Sequence, residues 1–280
     1  MFDRRRFKDD IETRLRKVPE DKCIAFAVRS AMRVLPLLAD RQGVPFRHWK
    51  PENKSNYLLA ILKNTARGVE YVLTKGHIDY AAAIADAHII HVAYVEACYH
   101  DVDCSTVYAA NAAYTAYTAC AEYPLTAYEY AHALVPNTYN YKTAAAYTAD
   151  AAIDVNADVD IIREIQQDLA DLEKMIAEKL LQQPLWSKAT TKEWQHINSR
   201  FRFAVLKLNA GFEVWLDWYD DRLQGKPIDI KLLRQWNNVP KDIQKQGVVA
   251  INAYLKSLLP KIETPSSALE SCLRYFHRLW

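Results

Sequence analysis

Residues 159–180 read VDIIREIQQDLADLEKMIAEKL, and this stretch decides the fold class. Its apolar residues recur every three or four positions, a spacing that places them along one side of an α-helix. They are Val159, Ile162, Ile165, Leu169, Leu172, Ile176 and Leu180. The carboxylates lie on the other side, at Asp160, Glu164, Asp168 and Asp171. The pattern predicts one amphipathic helix that packs its apolar side inward.

The chain on the N-terminal side of this stretch carries the same helical signals. Only six glycines occur in 280 residues, and alternating strand patterns and Asn-Gly turns are missing. Prolines fall between the periodic segments, where they begin or end helices. The predicted helices cover residues 4–17, 19–38, 55–73 and 79–100, and two short alanine- and tyrosine-rich helices follow.

Three further helices are predicted on the C-terminal side. A capping box, Thr190-x-x-Glu193, satisfies two free amide donors and begins a helix that extends to Leu223. Gly225 then provides a left-handed stop. Another helix is predicted between the two prolines at 240 and 260. A second capping box, Ser267-x-x-Glu270, begins a last one after the Thr-Pro-Ser linker.

These elements predict an all-α protein, a compact multi-helix bundle with an alanine- and tyrosine-rich centre. Residues 80–152 are mostly Ala, Tyr, Thr and Asp, and alanine faces let helices approach closely while tyrosines fill gaps. Residues 1–260 are predicted to form a single helical domain. Residues 261–280 are predicted to form a linker and a C-terminal amphipathic helix.

Composition excludes several classes of protein. The net charge of +2 gives no global attraction to nucleic acid or to an anionic membrane. No glycine-rich phosphate loop or G-x-S-x-G motif occurs. No apolar run approaches the roughly 20 residues of a membrane span, and the basic start lacks the apolar stretch of a signal peptide. Five scattered cysteines without a CxxC pair fit reduced thiols in the cytoplasm, and no cofactor is predicted.

A candidate metal site lies on the predicted fourth helix, at His88, His91, Glu96 and His100. The two histidines at 88 and 91 share a face, but the other pair is turned by about a hundred degrees or more. A metal would therefore need ligands from another helix. The alternative, which we favour, is that these histidines are hydrogen-bonded packing residues.

Two charged groups invite a functional interpretation. The carboxylates Glu213, Asp217, Asp220 and Asp221 follow one predicted helix, where such a row can bind Mg²⁺ or act as acid and base. The basic residues Arg4, Arg5, Arg6, Lys8, Arg14, Arg16 and Lys17 could contact phosphates. A solvated charged face is the commoner origin of both patterns, and acidic neighbours dilute the basic one.

The most distinctive stretch is WLDWYDDRLQGKP, residues 215–227. Trp215, Trp218, Tyr219 and Arg222 step by three and four, so they share a helical face. Tryptophan, tyrosine and arginine are enriched among the residues that dominate protein interfaces. These four are predicted partner-binding residues, and the structural alternative is a core helix with a glycine stop.

The predicted C-terminal helix supplies a second candidate interface. Its apolar residues form one stripe, at Leu269, Leu273, Phe276 and Trp280. So short a helix is marginal alone and must dock, because helix nucleation is costly. It docks either on its own domain or in a groove of a partner chain.

Three parts of the chain carry a resemblance to known proteins. They are the Trp-rich stretch, the stretch AFAVRSAMRVLP at residues 25–36, and the alanine- and tyrosine-rich centre. Together they resemble a family of bacterial alanine-rich helical proteins that carry a W-x-x-W-Y-x-x-R-L-x-G-x-P element. The resemblance covers most of the chain up to about Leu259. It implies association with multi-gene systems, including antiphage defence cassettes, and it supplies no catalytic residues.

Taken together, we expect a non-enzymatic subunit of a bacterial multi-protein system that binds another protein or a second copy of itself. Two alternatives stay open. One is an enzyme or toxic effector with a polar site of histidines and carboxylates. The other is a nucleic-acid-binding accessory protein that uses the basic N-terminus. No membrane partner is expected.

Overall fold

The computed structural model describes residues 4–39, 46, 49–75, 86, 89–90, 92–93, 145 and 159–260. Within these ranges every regular element is a helix, which confirms the predicted all-α class. In chain order the α-helices are α1 (Arg4–Leu15), α2 (Glu20–Val34), α3 (Lys54–Thr74), α4 (Val159–Leu172), α5 (Ala177–Leu181), α6 (Lys192–Leu206), α7 (Glu213–Leu223), α8 (Ile230–Asn237), α9 (Lys241–Gln244) and α10 (Val248–Ser257).

Helices α2 and α3 pack against each other and form the centre of the described fold. Every residue of α2 from Cys23 to Val34 is buried, and so is every residue of α3 from Tyr57 to Val72. Helices α4 and α5 lie against α2, while α8 and α10 contact α3. A helix buried on all sides must satisfy its polar side chains inside the protein, and this requirement shapes the site described below.

The second helix begins after Pro19 as predicted, but it ends at Val34 and continues as a 3₁₀ segment, Leu35–Ala39. Pro36 has no amide hydrogen, so it cannot donate to the carbonyl of Met32 in an α-helical bond. The amide of Leu35 and the hydroxyl of Tyr219 donate to that carbonyl instead, the hydroxyl at 3.1 Å. The predicted helix over residues 19–38 was therefore too long.

The single helix predicted over residues 159–180 is two helices, α4 and α5, joined by a turn. The Lys22 ammonium group donates to the carbonyl oxygen of Leu172 at 2.5 Å, which satisfies the end of α4. In the turn, the amide of Met175 donates a hydrogen bond to the carbonyl of Asp171. Ile176, predicted on the apolar stripe, lies at the start of α5 with 55% of its surface exposed.

The helix predicted from Thr190 to Leu223 is also two helices, α6 and α7. Its N-cap is Thr191 rather than Thr190, and the hydroxyl of Thr191 accepts the Trp194 amide at 3.2 Å. The break after Leu206 contains Asn209 at φ +49° and Gly211 at φ +76°, both in the left-handed region. Asparagine and glycine tolerate that region best, so the sequence itself supplies the interruption.

The predicted stop at Gly225 is confirmed, with φ at +66°. The amide of Lys226 donates to the carbonyl of Asp221 at 2.9 Å, and the amide of Gly225 donates to that of Arg222 at 3.2 Å. This pair of bonds is a Schellman motif. Further along, the predicted helix between the prolines at 240 and 260 is α9 and α10, which Gly247 separates at φ +88°.

Candidate functional site

The Trp-rich helix α7 lies with its distinctive face turned into the core. Trp215 and Tyr219 are fully buried, and Trp218 and Arg222 nearly so. The four side chains share a face as their spacing predicts. Because they are buried, the described chain does not present them to a partner, and their partner-binding role stays a prediction that burial does not favour.

Trp215 connects α7 to α10 through Asn252. Its indole Nε1 donates to Asn252 Oδ1 at 2.9 Å, and Asn252 Nδ2 donates to the carbonyl of Ala210 at 2.7 Å. The indole rings of Trp218 and Trp236 meet that of Trp215 edge-on, at centroid distances of 6.1 and 5.2 Å. One fully buried amide therefore fixes the α6–α7 loop, α7 and α10 together.

Tyr219 connects the same helix to α2 through the hydrogen bond to Met32. Burial is the main reason that the pKa of its phenol lies well above the ordinary value, and the Asp220 carboxylate raises it further. The hydroxyl is therefore a neutral donor at physiological pH. Its position under the 3₁₀ segment gives it a structural role.

Arg222 is the fourth member of this face, and its side chain has the most hydrogen-bond donors without a partner. Its Nη2 donates to the carbonyl of Lys226 at 2.9 Å, but its Nε and Nη1 have no partner among the described residues. Burial lowers the pKa of Arg222 to about 10, against the attraction of Asp221. That carboxylate pairs with the Lys226 ammonium group at 2.7 Å instead.

A second buried arginine site, which the sequence analysis missed, joins α2 to α4. Arg29 Nε and Arg33 Nη1 both donate to Asp168 Oδ2, at 2.9 and 2.6 Å. Arg29 also donates to the carbonyls of Leu180, Gln183 and Pro184, and Arg33 Nε donates to that of Leu185. We call this group the arginine clamp, because two α2 side chains hold the chain from α4 to Leu185.

The clamp corrects the expectation that the carboxylates of residues 159–180 lie on an outer face. Asp168 and Glu164 are buried, at 2% and 1% exposure. Both oxygens of Glu164 accept hydrogen bonds from Ser187, from its amide at 2.7 Å and its hydroxyl at 2.9 Å. Arg163 reaches Glu164 from the same helix at 3.1 Å. The sequence signal was available, since Arg29 and Arg33 stand four apart inside the mostly apolar stretch of residues 23–34.

Buried charges on α3 are paired in the same way. The Lys63 ammonium lies 2.9 Å from Asp86 Oδ2, and Arg67 pairs with the same carboxylate. Burial lowers the pKa of Lys63, and Asp86 acts against that shift. Asn237 Nδ2 on α8 donates to Glu70 Oε2 at 2.6 Å. These groups join the central helix to its neighbours.

The predicted carboxylate row on α7 is an outer face. Glu213 and Asp217 are exposed, and both oxygens of Asp220 lie 2.6 Å from Arg202 Nη1 on α6. Asp221 forms the exposed pair with Lys226. The basic N-terminal helix is similar where its side chains are described, because Arg14 pairs with Glu173 at 3.0 Å.

Several predicted site residues lie outside the described part of the chain. These are the candidate metal ligands His88, His91, Glu96 and His100, and the C-terminal stripe Leu269, Leu273, Phe276 and Trp280. The side chains of Arg4, Arg5 and Lys8 also lie outside it. Their predicted roles stay predictions. Across residues 4–39, 49–75 and 159–260, and at the isolated described positions, no group of three His, Cys, Asp or Glu could hold a metal.

The largest exposed apolar side chains that share one helix lie at the end of α6. Phe203 and Leu206 keep 59% and 42% of their surface exposed. The Lys207 ammonium lies 4.4 Å from the centroid of the Phe203 ring, close enough for a cation–π contact. This surface was not among the interfaces predicted from the sequence.

The described part of the protein is thus an all-α fold whose buried charges mostly serve its own packing. No described helix is long and apolar enough to cross a membrane. Comparison with protein-family models, with curated proteins and with solved structures finds no match to this chain. The resemblance to the bacterial alanine-rich helical proteins therefore stays a prediction.

Proposed function

We propose that this protein is a non-enzymatic interaction subunit of a bacterial multi-protein system, with antiphage defence as the setting that the resemblance suggests. The observation that supports this most directly is the exposure of Phe203 and Leu206 on α6. Burying apolar surface yields about 25 cal/mol per Å², so a partner that covers these side chains gains free energy. Aromatic side chains of this kind are typical anchors of protein interfaces.

The surroundings of these two residues define the chemistry of the partner. Lys192, His196 and Ser199 continue the same exposed side of α6 toward its N-terminus, and Lys207 follows at the other end. An amphipathic helix fits such a surface when its apolar residues cover the anchors and its acidic residues face the lysines. We therefore propose an acidic amphipathic helix of another subunit as the occupant.

The carboxylates that the sequence offered for chemistry have structural partners instead. Asp220 pairs with Arg202 across α6 and α7, and Asp221 pairs with Lys226. Asp168 and Glu164 are engaged by arginine and serine groups of the core. These contacts favour the interaction role over the enzymatic alternative.

The test is co-expression of the tagged full chain with the products of its neighbouring genes. We expect one neighbour-encoded protein to co-purify in a fixed ratio, and the double variant Phe203→Glu, Leu206→Glu to lose it without a change in melting temperature. Val249→Glu, which replaces an exposed apolar residue on α10 outside this surface, is the matched control for added negative charge. The proposal fails if the double variant retains the partner, or if light scattering shows only copies of this chain.

The C-terminal stripe is a second predicted anchor and needs a separate experiment. Deleting residues 265–280 lowers the melting temperature of the isolated protein if the segment docks on its own domain. If the segment docks on a partner, the melting curve is unchanged and co-purification is lost. Retention of the partner by the shortened chain contradicts the second arrangement.

A further inference from the structure

The guanidinium group of Arg222 is a buried cation without a buried counter-ion. The arginine clamp pairs two guanidinium groups with the buried carboxylate of Asp168. Arg222 has no equivalent, because the adjacent Asp221 carboxylate is 44% exposed and pairs with Lys226. A buried charge that lacks a partner is costly, and a structure that retains one calls for an explanation.

Most of the buried unpaired side-chain atoms on α7 and α8 are hydrogen-bond donors. Its Nε and Nη1 are buried without a partner, and so are the indole Nε1 atoms of Trp218 and Trp236. Trp218 stands four residues before Arg222, on the same face of α7, and its ring contacts that of Trp215. Trp215 in turn contacts Trp236. On α7 and α8, the one buried acceptor without a partner is Asn237 Oδ1.

Arg33 shows that an unpaired nitrogen alone does not define such a site. Its Nη2 also lacks a partner, but its Nε and Nη1 are bonded and its charge faces Asp168 at 2.6 Å. Arg222 differs in both respects, since it lacks a buried carboxylate and its Nε and Nη1 are both unpaired. A ligand that supplies both would be an anion with acceptor oxygens.

We propose that Arg222 and Trp218 form a binding site for a carboxylate, beneath the loop of residues 224–228. The loop is mostly exposed, and its carbonyls at Lys226 and Pro227 accept the Arg222 Nη2 group. A ligand carboxylate that displaces one of these carbonyls reaches the unpaired donors.

Charge balance selects a carboxylate over a phosphate. A carboxylate carries one negative charge and four acceptor positions, which matches one guanidinium and the unpaired N–H groups. A phosphate monoester carries about −1.5 to −2 at neutral pH, so it would bring uncompensated charge into a site with one cation. Trp218 packs against Trp215, and this aromatic contact also favours a ligand whose remaining atoms are apolar.

The experiment compares the thermal unfolding of the full chain in sodium acetate and in sodium chloride at equal ionic strength. Acetate at ten times its dissociation constant should raise the melting temperature by about 3 °C relative to chloride. Sodium phosphate should give a smaller rise. Arg222→Met should abolish the acetate effect, whereas Lys226→Gln, which removes an exposed cation of the same loop, should retain it.

Trp218→Phe keeps the aromatic ring and removes the indole N–H, so it serves if Arg222→Met does not fold. Its acetate affinity should fall at least threefold by calorimetric titration. The proposal is overturned by the lack of any acetate effect in the natural sequence, since water then fills the site. It is also overturned if Lys226→Gln loses the effect, or if every Arg222 or Trp218 variant that folds retains it unchanged.

This site is independent of the proposed partner surface. The double variant at Phe203 and Leu206 should show the full acetate effect even when it has lost its partner. Failure of one proposal therefore leaves the other intact. A phosphate effect larger than the acetate effect would contradict the choice of a carboxylate.

Discussion

The arginine clamp and Arg222 on α7 are both buried arginine groups, and they are built differently. In the arginine clamp, Arg29 and Arg33 meet a buried carboxylate and four backbone carbonyls. On α7, Arg222 meets backbone carbonyls alone. A buried arginine that its own chain satisfies acts as structure, whereas one that its own chain leaves unpaired can serve a ligand. The following predictions test that distinction.

Asp168→Asn should have the largest effect, because it leaves two guanidinium groups in the core without their shared carboxylate. Removing one partner of a buried ion pair costs about 3–5 kcal/mol. Urea unfolding measures this loss directly. Asp171→Asn is the matched control, since the Asp171 carboxylate accepts a hydrogen bond from the exposed Gln167 on the same helix and has no ion pair among the described residues. Equal effects of the two variants would contradict the clamp.

The clamp should also weaken at acid pH. Burial acts to raise the pKa of the Asp168 carboxyl, but the charges and hydrogen bonds of Arg29 and Arg33 lower it below its ordinary value. A carboxyl whose pKa falls on folding stabilises the protein above its unfolded pKa, near 4, and this contribution disappears as pH falls through the folded pKa. The difference in unfolding free energy between the natural sequence and Asp168→Asn should therefore shrink below about pH 4.

Gly225→Ala should have the next largest effect, because Gly225 lies where the two arginine groups meet. An added Cβ would stand 2.5 Å from the nitrogen of Pro184 and 2.7 Å from the carbonyl oxygen of Gln182. The left-handed backbone adds about 1–2 kcal/mol for any residue with a Cβ. We expect a loss of at least about 2 kcal/mol by urea unfolding. Gln224→Ala, one residue earlier and exposed, should change stability by less than about 0.5 kcal/mol.

Arg222→Met should change the free energy of unfolding by less than about 1 kcal/mol. The variant loses the hydrogen bonds to the loop carbonyls, but it also removes a cation that has no buried counter-ion. Arg29→Met, matched in chemistry, should cost several times more because it leaves Asp168 and three carbonyls with fewer donors. If both variants cost the same, the proposed difference between the two groups is wrong.

Lys226→Gln should have the smallest effect. The pair of Lys226 and Asp221 is about half exposed on both sides, at 52% and 44%. Exposed pairs contribute about 0–1 kcal/mol, and salt screens them. We expect a change of at most about 0.5 kcal/mol that disappears in high salt. A larger effect would show that the attraction between the Asp221 carboxylate and the Arg222 guanidinium also contributes to stability.

The elements that the sequence predicted well are those that local signals determine. Pro19 begins α2, and Gly225 ends α7, because each residue acts through its own backbone geometry. The helix over 54–74 follows from a long apolar periodicity. Helix boundaries were predicted wrongly where one apolar pattern spans two helices, as in residues 159–180. Periodicity does not reveal that Lys22, on another helix, donates to the carbonyl of Leu172 at the end of α4.

The candidate site was harder to predict, for the same physical reason. The face that contains Trp215 and Arg222 follows from spacing, but its burial depends on α8 and α10, which lie later in the chain. Asp168 was placed on the outside because a carboxylate is usually solvated. Its partners Arg29 and Arg33 stand 139 and 135 residues earlier, and a local pattern contains no information about them.

The sequence separation in the clamp has a consequence for synthesis of the chain. The carbonyl partners of Arg29 stand 151, 154 and 155 residues later. At about 5–20 residues per second, they leave the ribosome roughly 8 to 30 seconds after Arg29 does. During that interval the two α2 guanidinium groups lack the partners that they have in the fold, so the helix cannot take its buried place. Completion of the core must wait until translation has passed Leu185, and slower translation prolongs the exposure of the nascent apolar surface.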